Sequence, residues 1–157
     1  MIDALQDFTA SLPTVLQWVG VVLAAAIPFV ESYFGSVIGV LAGINPLIAV
    51  VAAIVGNVVS MLVFVLSAHN MRAKVVSSKE AREPSPRREK LRKQFDKYGV
   101  AGVSLLGQTI LPSQITSAAM VSFGASRNAV ILWQIVSITL WGAAFGILAS
   151  LGVSLVG

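Results

Sequence analysis

Cysteine is absent from the 157-residue chain and histidine occurs once. Disulfides, thiolate nucleophiles and cysteine-ligated metals are therefore excluded, and redox chemistry gives no guide to compartment. Charge is scarce as well. Only 11% of the residues carry one, against about a quarter in a soluble domain. No His/Asp/Glu cluster has metal-site spacing, no Ser/His pairing suggests a nucleophile, and no glycine-rich phosphate loop follows a strand pattern. Neither an enzyme nor any cofactor or metal is expected. Carboxylates are rarest inside the apolar body, where Glu31 is the sole acid between Asp7 and Glu80. The N-terminal MIDALQDFTASLPTVLQ has two acids and no Lys or Arg, so no positive n-region of a signal peptide is expected.

What is present is apolar: 56% of residues are hydrophobic and the mean hydropathy is +0.85. Several runs reach the roughly 18–20 residues that a spanning helix needs. The chain reads as an all-α integral membrane protein. Ten of the eleven Lys and Arg lie between Arg72 and Lys97, and the eleventh is Arg127. In a membrane protein such clustering marks the cytoplasmic side. The expected location is the cell (inner) membrane, multi-pass, with the basic loop cytoplasmic and no nucleic-acid partner.

The chain divides into a first half-repeat (12–69), a basic loop with an amphipathic helix (70–98) and a second half-repeat (99–157). Residues 1–11 read as an interfacial segment. Leu12–Val30 is apolar and long enough to cross, but Tyr33–Ile44, about 12 residues, is too short. Pro28 removes an amide donor just before Glu31. Residues 13–43 therefore read as a re-entrant hairpin turning near Glu31. Gly35, Gly39 and Gly43 would let its return leg approach a neighbouring backbone, unless they are simply tolerated facing lipid. Asn45-Pro46 caps and starts a full span, Pro46–Ala68, closed by His69. Ser77–Pro86 has a linker's composition. Arg87–Tyr98 places Leu91, Phe95 and Tyr98 on one face, with Glu89–Lys93 and Arg92–Asp96 at i, i+4 on the other. It is expected to lie on the anionic leaflet, with Leu91 and Phe95 inserted and Arg88, Arg92 and Lys93 meeting headgroups. Val100–Leu111 and Ile115–Phe123, broken at Pro112, form a second re-entrant hairpin, and Ala129–Leu151 a second full span. With one net crossing per half, the halves form an inverted repeat that returns Arg127 to the basic side.

The run Pro28-Phe29-Val30-Glu31, with Gly56-Asn57 further on, resembles the P-x-x-E and G-N signatures of the small multidrug export proteins, remote relatives of the DedA (SNARE-associated, VTT-domain) superfamily. Phe95-Asp96-Lys97-Tyr98-Gly99 ahead of Leu111-Pro112-Ser113-Gln114-Ile115-Thr116 is similar to that superfamily's second re-entrant motif. The resemblance covers roughly residues 20–150. It implies two opposed re-entrant hairpins and the movement of drugs or polyprenyl-phosphate lipid carriers, often with proton or ion coupling. Two departures stand out. Tyr33 occupies the place of the usual Arg after the Glu. Around Pro112 the superfamily's arginines are replaced by Gln108, Thr109, Ser113, Gln114 and Thr116, which weakens the case for a phosphate headgroup.

Each candidate has two readings. Glu31 is a proton or cation site, since insertion scales put an acid at a helix centre about 2.5–3.5 kcal/mol uphill, or it is an acceptor capping the turn. Asn57 faces a site or bridges helices. Gln108, Pro112, Gln114 and Thr116 contact substrate or satisfy backbone at the break. Trp18, Trp133 and Trp141 read as packing. The expected function is a small transporter of an amphipathic substrate (a drug-like compound or a polyprenyl-phosphate-type lipid), proton-coupled through Glu31 and aided by Tyr33. Membrane lipids are the expected surroundings and a homodimer the expected assembly. The alternative is a non-transporting membrane scaffold or accessory subunit acting through its basic loop.

Overall fold

A computed structural model of the protein describes residues 1–77, 86–108 and 110–156, without the side chains of residues 72–77, 87, 88, 91, 94 and 156. Of the linker expected over Ser77–Pro86, residues 78–85 lie outside the described residues, as do Thr109 and the side chains of Arg88 and Leu91. Among the described residues there are seven α-helices, α1 (Ile2–Ser11), α2 (Gln17–Ala25), α3 (Glu31–Leu41), α4 (Pro46–Ser77), α5 (Pro86–Gly107), α6 (Ser113–Phe123) and α7 (Arg127–Val156), with a 3-10 turn at Thr14–Leu16. No strand occurs among the described residues. Among the described residues two helices are long and apolar enough to cross a membrane: α4 over Pro46–Met71, 26 residues, and α7 over Arg127–Leu155, 29 residues. By contrast α3 has 11 residues, about 16 Å at 1.5 Å per residue, roughly half of a hydrocarbon core.

The chain forms two compact units, Met1–Ser60 with Ser137–Gly157, and Met61–Val136. In the first, α2 and α3 make an antiparallel hairpin that α4 backs. The glycines set these distances. A Cβ on Gly35 would stand 2.7 Å from Ala25 Cβ, one on Gly39 2.6 Å from Ala49 Cβ, and one on Gly56 2.1 Å from the Val22 carbonyl oxygen. Gly35 and Gly39 thus serve backbone approach rather than facing lipid. Gly43 has no such neighbour. Its role is conformational, since φ is +83° where the helix ends. Helix α1 lies on α2 and α3, with Ile2 and Leu5 against Ala24, Val30 and Ile38. The segment expected at the interface is therefore a packed helix, with Asp3 and Asp7 exposed.

In the second unit α5 and α6 form the corresponding hairpin. Gly99, at φ 66° and ψ −171°, kinks α5 at the place where the sequence ends the amphipathic helix. One residue of that helix's apolar face, Phe95, has a protein partner, whereas Tyr98 is exposed. The rings of Phe95 and Phe123 lie 6.2 Å apart, so Phe95 packs within the unit where lipid insertion was expected. Arg92 stands 5.9 Å from the Phe123 centroid, and among the described residues it makes no ion pair with Asp96. The expected Lys93–Glu89 pair forms at 3.1 Å between exposed groups, worth about 0.2–0.5 kcal/mol. The first long helix does not close at His69. Nothing from His69 to Ser77 breaks a helix, and α4 runs through to Ser77.

Both hairpins end alike. Gly43 N–H donates to Val40 O and Ile44 N–H to Gly39 O; 81 residues on, Gly124 N–H donates to Val121 O and Ala125 N–H to Met120 O. This is the Schellman pattern, with left-handed glycine in each case. Then Asn45 and Ser126 each offer a carbonyl to the residue four on, opening α4 and α7. Asn45 Oδ1 also accepts from Leu47 N–H at 3.0 Å, the cap expected from Asn-Pro. The local structure therefore repeats at a fixed spacing. Gly56→Ala is expected to lower the thermal midpoint in detergent, at a cost of about 1–3 kcal/mol from overpacking α2. Gly152→Ala, with nothing within 4 Å, should raise the midpoint, through a gain of up to about 1 kcal/mol in helix propensity.

Candidate functional site

The break between α2 and α3 is built from backbone. Val30 and Glu31 N–H both donate to Ile27 O, at 3.1 and 3.3 Å. Two non-glycine residues there are left-handed, Phe29 at φ 75° and Glu31 at φ 56°. Each costs about 1–2 kcal/mol for an L-residue, and such strain concentrates at functional sites. Glu31 is fully buried, as is Ser32. It is the first residue of α3, where the helix dipole favours negative charge.

The next amide ties the two sequence signatures together. Ser32 N–H donates to Asn57 Oδ1 at 3.0 Å in the interior. Gly56, beside it, lets α2 reach α4. Asn57 is thus the side chain that caps Ser32, and the Val30, Glu31 and Ser32 amides all find acceptors other than the Glu31 carboxylate. Hydroxyls complete the frame. Ser32 Oγ donates to Ile138 O at 2.8 Å, Ser36 Oγ to Ser32 O at 2.7 Å, and Ser60 Oγ to Ala26 O at 2.8 Å. These serines were not singled out from sequence. The signal was a hydroxyl at i, i+4 alternating with Gly35 and Gly39 on the short leg. Tyr33 is half-buried in an aromatic group, with ring centroids 4.8 Å from Phe34 and 5.5 Å from Phe145. Trp141 joins it 5.9 Å from Phe145, a packing role. This unit contains no Lys or Arg.

The other candidates fall in the second unit. Gln108, Pro112, Gln114 and Thr116 are all buried around the α5–α6 break. Ile110 and Leu111 N–H donate to Gly107 O, and Thr116 Oγ1 donates to Pro112 O at 2.8 Å. A Cβ on Gly107 would stand 3.1 Å from Thr116 Cγ2. Thr116 thus satisfies the break's backbone. Ser113 Oγ donates to Gln114 Oε1 at 3.4 Å. Gln134 on α7, fully buried, was also missed. Its signal was plain: it is the one amide side chain after Asn128. The expected sites therefore form two buried polar groups, one per unit. An open apolar groove of about 390 Å³ lined by Trp18, Val22, Ile48 and Val55, among others, contains none of them.

Chemically, the first group offers a buried carboxylate at a break whose serine hydroxyls are engaged by backbone carbonyls; a carboxylate is suited to a proton or a cation. The second offers neutral amides and hydroxyls. No family model, curated protein or solved structure matches the chain. Asn57→Leu strands the Ser32 N–H and should destabilise the protein by about 1–3 kcal/mol. Phe29→Gly, at a residue 58% exposed, should cost nothing or stabilise slightly by relieving left-handed strain. Thermal unfolding in detergent distinguishes the two outcomes.

Proposed function

We propose that the chain is a small membrane transporter, of the small multidrug export and DedA-like kind, that moves an amphipathic molecule across the membrane. Glu31 is its coupling group: it exchanges a proton or pairs with the cationic head of the substrate. The observation that supports this best is the fully buried carboxylate on a left-handed residue at a helix break. A polar group at membrane depth on non-helical backbone fits a cavity or pathway.

On this reading the two hairpins are re-entrant and the halves inverted in the membrane. The one-sided basic residues and the repeat at 81-residue spacing support this. The protein works in the inner membrane, as a homodimer, with the 72–97 region cytoplasmic, and it has no enzymatic activity. Single cysteines are clean probes because the chain has none. Impermeant reagent should label residue 4, and not residue 80, from outside intact cells; the reverse pattern contradicts the orientation.

The coupling role is tested in proteoliposomes with a pH gradient and a fluorescent lipophilic cation. Glu31→Gln keeps size and hydrogen bonding and should fold, yet lose gradient-driven uptake. Glu31→Asn, which tolerates the left-handed backbone, should fold and also lose it. Wild-type uptake by Glu31→Gln would instead favour the scaffold reading, in which neutralising the 72–97 basic residues is the damaging change.

A further inference from the structure

Two buried amides in the second unit have work that the protein does not give them. Neither polar atom of Gln134, nor of Gln108, has a hydrogen-bond partner among the described residues. Gln134 is 0% exposed and Gln108 5%. Leaving a buried polar group unsatisfied costs about 1–3 kcal/mol, whereas an apolar residue of the same shape would cost nothing. Glutamine at both places is unfavourable for folding alone.

The repeat indicates how they are arranged. In the first unit Ala53 lies against Gly35, whose Cβ would stand 3.1 Å from Ala53 Cβ. The 81-residue spacing carries Ala53 to Gln134 and Gly35 to Thr116, both buried. Thr116 in turn lies against Gly107, the residue before Gln108. By that spacing Gln134 corresponds to a residue packed on the counterpart of Thr116, and Gln108 adjoins Gly107, which lies against Thr116 itself; the Thr116 hydroxyl is engaged by the Pro112 carbonyl.

We propose that Gln108 and Gln134 form a neutral polar subsite that takes an uncharged group able both to donate and to accept hydrogen bonds, such as a primary amide, on an amphipathic molecule. An amide side chain offers two N–H donors and a carbonyl acceptor, which matches another amide and neither balances nor repels charge. A carboxylate cannot donate to the Gln carbonyls, and an ammonium cannot accept from their N–H groups. The proposal deepens the transport reading by naming a head group, and it rests on that reading only for the amphipathic tail.

The test uses the purified chain in nanodiscs, empty nanodiscs as the partition control, and three tritiated C18 probes: a fatty primary amide, the fatty acid and the fatty amine. Protein-dependent binding of the amide should exceed that of the other two by about tenfold, the worth of one net hydrogen bond. Gln134→Leu and Gln108→Leu should each bring the preference to within about twofold while raising the thermal midpoint. Gln→Met at either place serves if a leucine variant fails to fold. An amide no better than the acid or amine, a preference that survives the substitutions, or a lowered midpoint with Met as well as Leu would each overturn the proposal. Glu31-dependent uptake is measured separately, so the transport reading can stand while the amide subsite falls.

Discussion

The hydrogen bond from Ser32 N–H to Asn57 Oδ1 fixes the break at Glu31 against α4. A helix that starts in the interior brings amides without intrahelical partners, and each must find an acceptor. Here Ile27 O takes two of them and Asn57 takes the third. Asn57 can do so only because Gly56 lets the α2 backbone come within reach of α4. Removal of that contact leaves the Ser32 N–H buried without its acceptor. The left-handed conformations of Phe29 and Glu31 depend on the same anchorage, since nothing in their own residue types favours them.

The two hairpins share a frame and differ in chemistry. Both end on a left-handed glycine with the same pair of backbone bonds, and both lead into a long apolar helix. The first break carries a carboxylate and no basic residue in its unit; the second carries amides and hydroxyls. One half is thus equipped for a proton or a cation, the other for neutral hydrogen bonding.

Much of the frame was legible because it rests on punctuation. Pro28, Gly43, Asn45-Pro46, Gly99, Pro112 and Gly124 mark turns or helix boundaries in the structure as their backbone preferences dictate. The extent of α4 beyond His69 was not, because helix-neutral residues carry no stop signal. The Phe95–Phe123 contact was also hidden: an apolar stripe shows that a face needs cover without saying whether lipid or protein supplies it. Within the site, Glu31 and Asn57 stood out by rarity in apolar runs. Ser32, Ser36 and Ser60 did not, since serine is common in such helices and its backbone bonds depend on tertiary placement. Gln134 has the required rarity but lies in the interior of α7, away from any break that would mark it.

The central claim is that the Glu31 carboxyl changes its protonation or charge pairing when substrate binds. Infrared difference spectroscopy of the protein in lipid, before and after addition of a lipophilic cation, reads that event on the carboxyl group itself. The account predicts a carboxyl band change that is present in the parent and absent from Glu31→Gln. A parent spectrum with no such change, under conditions where the cation is shown to bind, would contradict it.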